Sequence, residues 1–256
     1  MSVVRAEWVK FRSLRSVLWT AGTVLVLMAG LGALFSFGRA HELAVEGTAA
    51  DRAAFDPTAA SLSGLLFAQI AVGVLGVLAV SSEFASGSIR PSLAAVPVRG
   101  RLLAAKAATV TAVALVIGWA GGLAAFLLGQ AIISGQGLAS ASLGDGGVVR
   151  ALLGTGLYLT AIALFGLAVG AMIRSTAGAL TIVIVVMLLF PIFSAALPSG
   201  LARWIAKWWP SMAGIRVVTT TPDPAVLGPW AGFAVLAAFG AIVLAASFAV
   251  FGRRDI

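Results

Sequence analysis

The chain has no cysteine, one histidine and one tyrosine in 256 residues, and only 10% of its residues are charged. Without cysteine there are no disulfides, thiolate zinc sites or iron–sulfur clusters, and cysteine usage says nothing of redox compartment. One histidine, His41, cannot supply the three or four protein ligands of a zinc site. A soluble domain carries about 25% charged residues. Here 61% of the residues are hydrophobic and the mean hydropathy is +1.08. A water-soluble fold of this length cannot bury that much apolar surface, so the bilayer is the solvent. The net charge of +8 is spread over short connections, which suits anionic lipid better than nucleic acid. No nucleic-acid partner is expected.

What is present is a series of apolar runs at 17–37, 61–80, 102–133, 151–173, 177–197 and 230–251. A span needs about 20 residues. The first run is longer than a signal-peptide core and reads as a retained span. The run 102–133 exceeds one crossing, as a tilted helix would, or one whose first turns, carrying Lys106, stand in the cytoplasm. Runs four and five meet at a hinge, Arg174-Ser175-Thr176. Residues 38–60 read as a polar connection and 134–149 as a Gly/Ser-rich loop. With the N-terminus inside, eleven Lys/Arg fall on the cytoplasmic side and six on the outer side, which favours both termini inside. The expected fold is all-α, with six transmembrane helices in one transmembrane domain covering 1–256.

Residues 1–16 carry Arg5, Lys10, Arg12 and Arg15 against Glu7. At helical spacing Val4, Phe11, Leu14 and Leu18 share an apolar arc with Trp8 at its edge, while Glu7 and Arg15 intrude on that arc. This predicts a helix lying in the headgroup layer with Trp8 as its interfacial anchor.

Candidate chemistry is sparse. Ala85-Ser86-Gly87 faintly suggests a serine nucleophile, but His41 falls on the opposite side of the membrane and cannot serve as its base. No G-x-x-x-x-G-K-[ST] occurs, so the chain has no phosphate-cradling loop. If ATP drives this protein, a partner binds it. Polar residues inside the runs are neutral, notably Gln69, Gln130 and Tyr158; each is a packing residue or lines a pathway. Gly118-x-x-x-Gly122 and Gly166-x-x-x-Gly170 would permit close helix approach. Residues 198–228 place Trp204, Trp208 and Trp209 beside Arg203 and Lys207, with a break at Pro210. They read as an interfacial belt or as a pair of short re-entrant helices closing an outer exit.

The segment 81–106, SSEFASGSIRPSLAAVPVRGRLLAAK, is the charged connection between the second and third runs. Its order is Glu83, Phe84, Gly87, Arg90, then Pro97, Arg99 and Arg101, then Lys106. This resembles the E-[FY]-x-x-G-[ST]-[IL]-R…P-x-R…L-x-x-K stretch of type-2 ABC transporter permeases, the exporter class that includes drug-resistance-type membrane subunits. The N-terminal E-W-x-K-F-R-S-x-R-S, Glu7 to Ser16, is similar to the start of those proteins, as is Trp209-Pro210-Ser211-x-Ala213-Gly214. Span count and loop lengths agree along essentially the whole chain.

The resemblance implies that 81–100 contains a coupling helix seated on a cytoplasmic ATPase, with 1–16 an elbow helix beside it. It implies outer re-entrant helices in 198–228. It also implies two permease subunits, alike or different, over two ATPase copies, with ATP and Mg bound by the ATPase and no cofactor here. The ATPase-contacting residues would be Glu83, Phe84, Gly87, Arg90, Pro97, Arg99 and Arg101. Those of the elbow would be Glu7, Trp8, Lys10, Arg12 and Arg15. The high alanine and glycine content and the lack of targeting features favour a bacterial plasma membrane. Two other readings remain open at this point: an ion-coupled secondary carrier, and a non-transporting membrane subunit that recruits or regulates an ATPase.

Overall fold

Six helices in the computed structural model are long and apolar enough to cross a membrane. The structure describes residues 3–13, 15–89, 91 and 98–253, and among these no strand occurs. The short α1 (Val3–Ser13) precedes the first long helix, α2 (Val17–Val45). Two short helices follow, α3 (Ala49–Ala54) and α4 (Pro57–Ser61). Then come α5 (Leu65–Ala85), α6 (Arg99–Gly135), α7 (Val148–Ile173) and α8 (Thr176–Phe193). The short α9 (Ser199–Trp208) and α10 (Pro210–Gly214) lead to the last long helix, α11 (Pro229–Arg253).

The first helix outruns its apolar stretch. Residues 38–45, expected to open a polar connection, continue α2 for two further turns. Arg39 donates to Glu42 at 2.9 Å one turn on, the spacing that supports a helix, and the Phe37 ring stacks on His41 at 5.8 Å. Arg52 then donates to the carbonyls of Leu43 and Ala44 at 3.0 and 3.2 Å, closing the helix end from outside. Thr48 and Asp51 form a reciprocal capping box on α3. The Thr48 hydroxyl and backbone N–H hold the Asp51 carboxyl below the usual carboxylate range. Asp56-Pro57 supplies both the cap and the first residue of α4, a helix start that composition alone hid.

The third helix is continuous from Arg99 to Gly135. Lys106 therefore stands inside it, in its second turn.

At the centre is α7, buried along most of its length and packed against α5, α6 and α11. Glycine makes those seams possible. Gly76 of α5 lies on the Ala163 carbonyl, and Gly166 of α7 lies on the Gly73 carbonyl, so closely that a methyl group at either would overlap backbone. Gly170 faces Val77, Gly118 faces Gly156 and Gly122 faces Thr155. Both G-x-x-x-G pairs of the sequence thus sit at real helix crossings.

The ends of α7 need left-handed backbone. Gly147 (φ 89°) precedes it and Arg174 (φ 58°) follows it. For arginine that conformation costs about 1–2 kcal/mol. Here it turns the chain straight into α8, whose start Ser175 caps by accepting from the Gly178 N–H.

A test of the central seam follows. Gly76→Ala should lower the stability of the detergent-solubilised protein by about 1–3 kcal/mol, read as a fall in thermal unfolding midpoint. Gly22→Ala, in open space on α2, should hold or raise it.

Candidate functional site: a buried charge cluster joining three helices

Glu7 and Lys10 lie one turn apart on α1, Glu83 lies in the last turn of α5, and Lys106 lies in the second turn of α6. The fold brings all four together. Lys106 Nζ donates to Glu7 Oε2 at 2.9 Å and to Glu83 Oε1 at 2.6 Å. Lys10 Nζ pairs with the same Glu83 oxygen. The side chains of Lys106, Glu83 and Glu7 are 3%, 5% and 10% exposed, against 41% for Lys10. Two acids and two ammonium groups cancel, so the cluster is neutral as a whole.

Local helix energetics do not explain these positions. Glu83 sits at the negative end of the α5 dipole, where a carboxylate is disfavoured. Burying each ion costs several kcal/mol, returned only by close, well-oriented partners. The cluster therefore holds three separate elements in one geometry. It contains no nucleophile–base pair, and among the described residues no trio of His, Asp or Glu could hold a metal. Its capacity is mechanical.

It also explains the flaw in the α1 pattern. Glu7 and Phe11 are the buried residues among the described side chains of α1, and α1 packs on α6. Val4 and Trp8, on and at the edge of the apolar arc, are exposed on the protein surface. The helix rolls so that Glu7 can reach Lys106.

The surroundings tie this end of the bundle together. Thr176 donates to Ser81 at 2.9 Å. The Arg174 guanidinium lies 5.3 Å over the Phe84 ring, and Phe84 meets Phe251 of α11 edge-on at 6.3 Å. After α5, Gly87 turns in the left-handed region (φ 71°) and Ile89 is buried at 3%. Arg99 is half-buried and Arg101 exposed. Arg90 and Pro97 lie outside the described residues, as do the side chains of Arg12 and Arg15.

The other predicted residues sit elsewhere. Tyr158 donates to Gln69 Oε1 at 2.7 Å in the bundle interior. Gln69 Nε2 donates to the carbonyls of Leu66 and Met187 at 2.9 and 3.4 Å. Gln130 donates to Pro57 O and Ser61 Oγ and accepts from the Ala141 N–H, all within 2.9 Å. All three hydrogen-bond to other parts of the chain. Trp204 and Trp208 are exposed on α9. Trp209 stacks on Phe190 at 4.0 Å and donates to the Val186 carbonyl at 2.8 Å, and Pro210 opens α10.

Sequence reasoning set Lys106 at the end of the charged segment but not at the hub of the cluster. The signal was there: a lysine within an apolar helix, with acids flanking the same membrane face.

An all-helical bundle of six membrane-length helices, with its buried charges gathered at one end, is the architecture of a multi-pass permease. Residues 3–199 match the family described as ABC-2 family transporter protein, and the chain belongs to that family. It is the permease type of ABC transporter membrane subunit. No individually curated protein matches the chain.

Two substitutions probe the site. Lys106→Met takes the ammonium from buried Glu7 and leaves Glu83 with Lys10 alone, and should cost about 3–5 kcal/mol, read by thermal or denaturant unfolding. Adding Glu7→Gln and Glu83→Gln to it should recover most of that loss, because no unpaired charge is then left inside. Tyr158→Phe orphans Gln69 Oε1 and should cost about 1–3 kcal/mol while leaving the cluster intact.

Proposed function

We propose that this permease is the membrane half of an ATP-driven exporter, working by alternating access and powered by a separate cytoplasmic ATPase that binds ATP and Mg. The charged connection 81–100 seats on the ATPase, α1 acts as the elbow helix beside it, and the termini face the cytoplasm. The observation that carries the reading is the Lys106 bridge. It joins the end of α5 to the start of α6, the two helices that flank the connection, and adds α1. A push on that connection would reach three helices at once rather than being absorbed by a flexible loop, and coupling requires such differential contact in two states.

The charge distribution favours this over an ion-coupled carrier, since the charged residues of the spanning helices gather toward their ends. Carriers place such groups near the midplane. The closed interior supports a pathway shared by two permease subunits. Gln69 and Tyr158 are spent on each other, while α2, α8 and α11 present most of their surfaces outward. In this reading α9 and α10 are the outer re-entrant pair, the chain is a single transmembrane domain, and the membrane is the bacterial plasma membrane.

Co-expression with a cognate ABC ATPase should yield a stoichiometric complex whose nucleotide hydrolysis drives uptake into inside-out vesicles or efflux from whole cells. In that complex Glu83→Gln and Arg90→Ala should lower permease-stimulated hydrolysis several-fold while membrane insertion persists. Unchanged coupling in properly inserted variants would sink the mechanical role. Transport without any ATPase, following an ion gradient, would sink the exporter.

A further inference from the structure

The opposite end of the bundle is built differently. Thr176 and Ser81 mark the cluster end of α7, so Arg150 in its first turn lies about 36 Å of helix rise away. There a pocket of about 500 Å³ opens between the starts of α7 and α11. Arg150 and Arg216 line it, and Pro222, Pro224 and Pro229 stiffen its rim.

Both arginines are incompletely used. Arg150 Nη2 donates to the Thr219 carbonyl at 2.9 Å, but Nη1 is buried without a partner. Arg216 Nε is likewise buried without a partner. Among the described residues neither guanidinium is within ion-pair distance of a carboxylate. Of the acids nearby, Asp223 itself lines the pocket, leaving two guanidinium groups against one carboxylate there. Asp56 accepts from the Thr220 N–H and hydroxyl and from the Thr221 N–H, and Asp223 accepts from the Ala225 N–H at 3.0 Å. A cation in the first turn of α7 opposes the helix dipole, and Pro229 brings a second helix start to the same pocket. Two guanidinium forks beside two positive helix ends favour a tetrahedral oxyanion.

We propose that this pocket binds a phosphate group, either the headgroup phosphate of an anionic phospholipid or a free phosphate. Arg150 and Arg216 hold it from the two sides, and Thr219–Thr221, already anchored by Asp56, form its floor. A lipid bound there would pin the starts of α7 and α11 to the membrane surface.

The test uses the full chain, purified without ATPase, so that its failure and that of the exporter reading are separable. In one arm the protein sits in nanodiscs of phosphatidylcholine with or without phosphatidylglycerol, and retained lipid is counted by native mass spectrometry. In the other, nanodiscs of phosphatidylcholine alone are titrated with radiolabelled inorganic phosphate. One equivalent per chain should bind saturably in at least one arm. Binding of phosphatidylglycerol alone assigns the headgroup; binding of inorganic phosphate assigns the free anion. Arg216→Gln should weaken binding roughly tenfold, and Arg216→Lys, which keeps charge but loses the fork, should fall between. Arg203→Gln, exposed on α9 outside the pocket, should change nothing. No saturable binding to wild type in either arm overturns the proposal whether or not the variants fold. Equal affinity of Arg216→Gln and wild type, or equal losses from Arg203→Gln and Arg216→Gln, also overturns it.

Discussion

One ammonium group sets the frame of this protein. Lys106 is out of water, inside an otherwise apolar helix, and its charge is tolerable only between Glu7 and Glu83. Those carboxylates belong to two other helices, so the requirement that the charge be paired becomes a requirement on how α1, α5 and α6 are arranged. Packing alone would leave α1 free to roll on the bundle, because its apolar face is small. The cluster fixes its roll, exposing Val4 and Trp8 and burying Glu7 and Phe11. Everything at this end, including the turn at Gly87 and the stacking of Arg174 on Phe84, is arranged around that fixed triangle.

From there rigidity runs inward by contact. The glycine seams bring α5 and α7 to backbone distance, where neither helix can slide without overlapping the other. Tyr158 and Gln69 add a hydrogen bond across the same interface, and Gln69 reaches on to the Met187 carbonyl. That carbonyl belongs to a stretch of α8, Val185–Leu189, wound as a π-helix. There the ordinary i to i+4 pattern fails and carbonyls are available to outside donors. Trp209 takes the neighbouring Val186 carbonyl. The largely outward-facing α8 is thus joined to the rigid centre, and to the α9–α10 break, by two side-chain donors that capture backbone groups the π turn exposes.

Much of this was legible because it rests on hydropathy. Six runs, the hinge at Arg174 and the break at Trp209-Pro210 could be read from composition and helix-breaking residues. The extension of α2 to Val45 was not, because polar residues such as Arg39 and Glu42 hide a helix that their pairing sustains. The cluster was half legible. Its members were singled out as separate charges on one side of the membrane, while the partnership of Lys106 with Glu7 joins residues 99 positions apart. No local spacing encodes such a pair; only the fold does. The intruding Glu7 was its one local trace, an imperfection in an amphipathic pattern that has a buried partner as its cause.

The two ends of the bundle then differ in kind. At one end the buried charges pair with one another through Lys106 and Glu83 Oε1, although Glu83 Oε2 is buried with no hydrogen-bond partner among the described residues. At the other, Arg150 Nη1 and Arg216 Nε have no acceptor among the described residues, the feature on which the phosphate proposal rests. Between them the interior is neutral and closed. There Gln69 and Tyr158 hydrogen-bond to each other, and Gln130 bonds Pro57 and Ser61. The surfaces left over belong to α2, α8 and α11, which are apolar and face outward. A solute crossing the membrane beside such faces would meet apolar walls with few charges along the way and would need a second set of walls to be enclosed. In the proposed exporter a second permease subunit would supply them, and rocking of α8 about its captured π turn would alter those walls without disturbing the seam between α5 and α7.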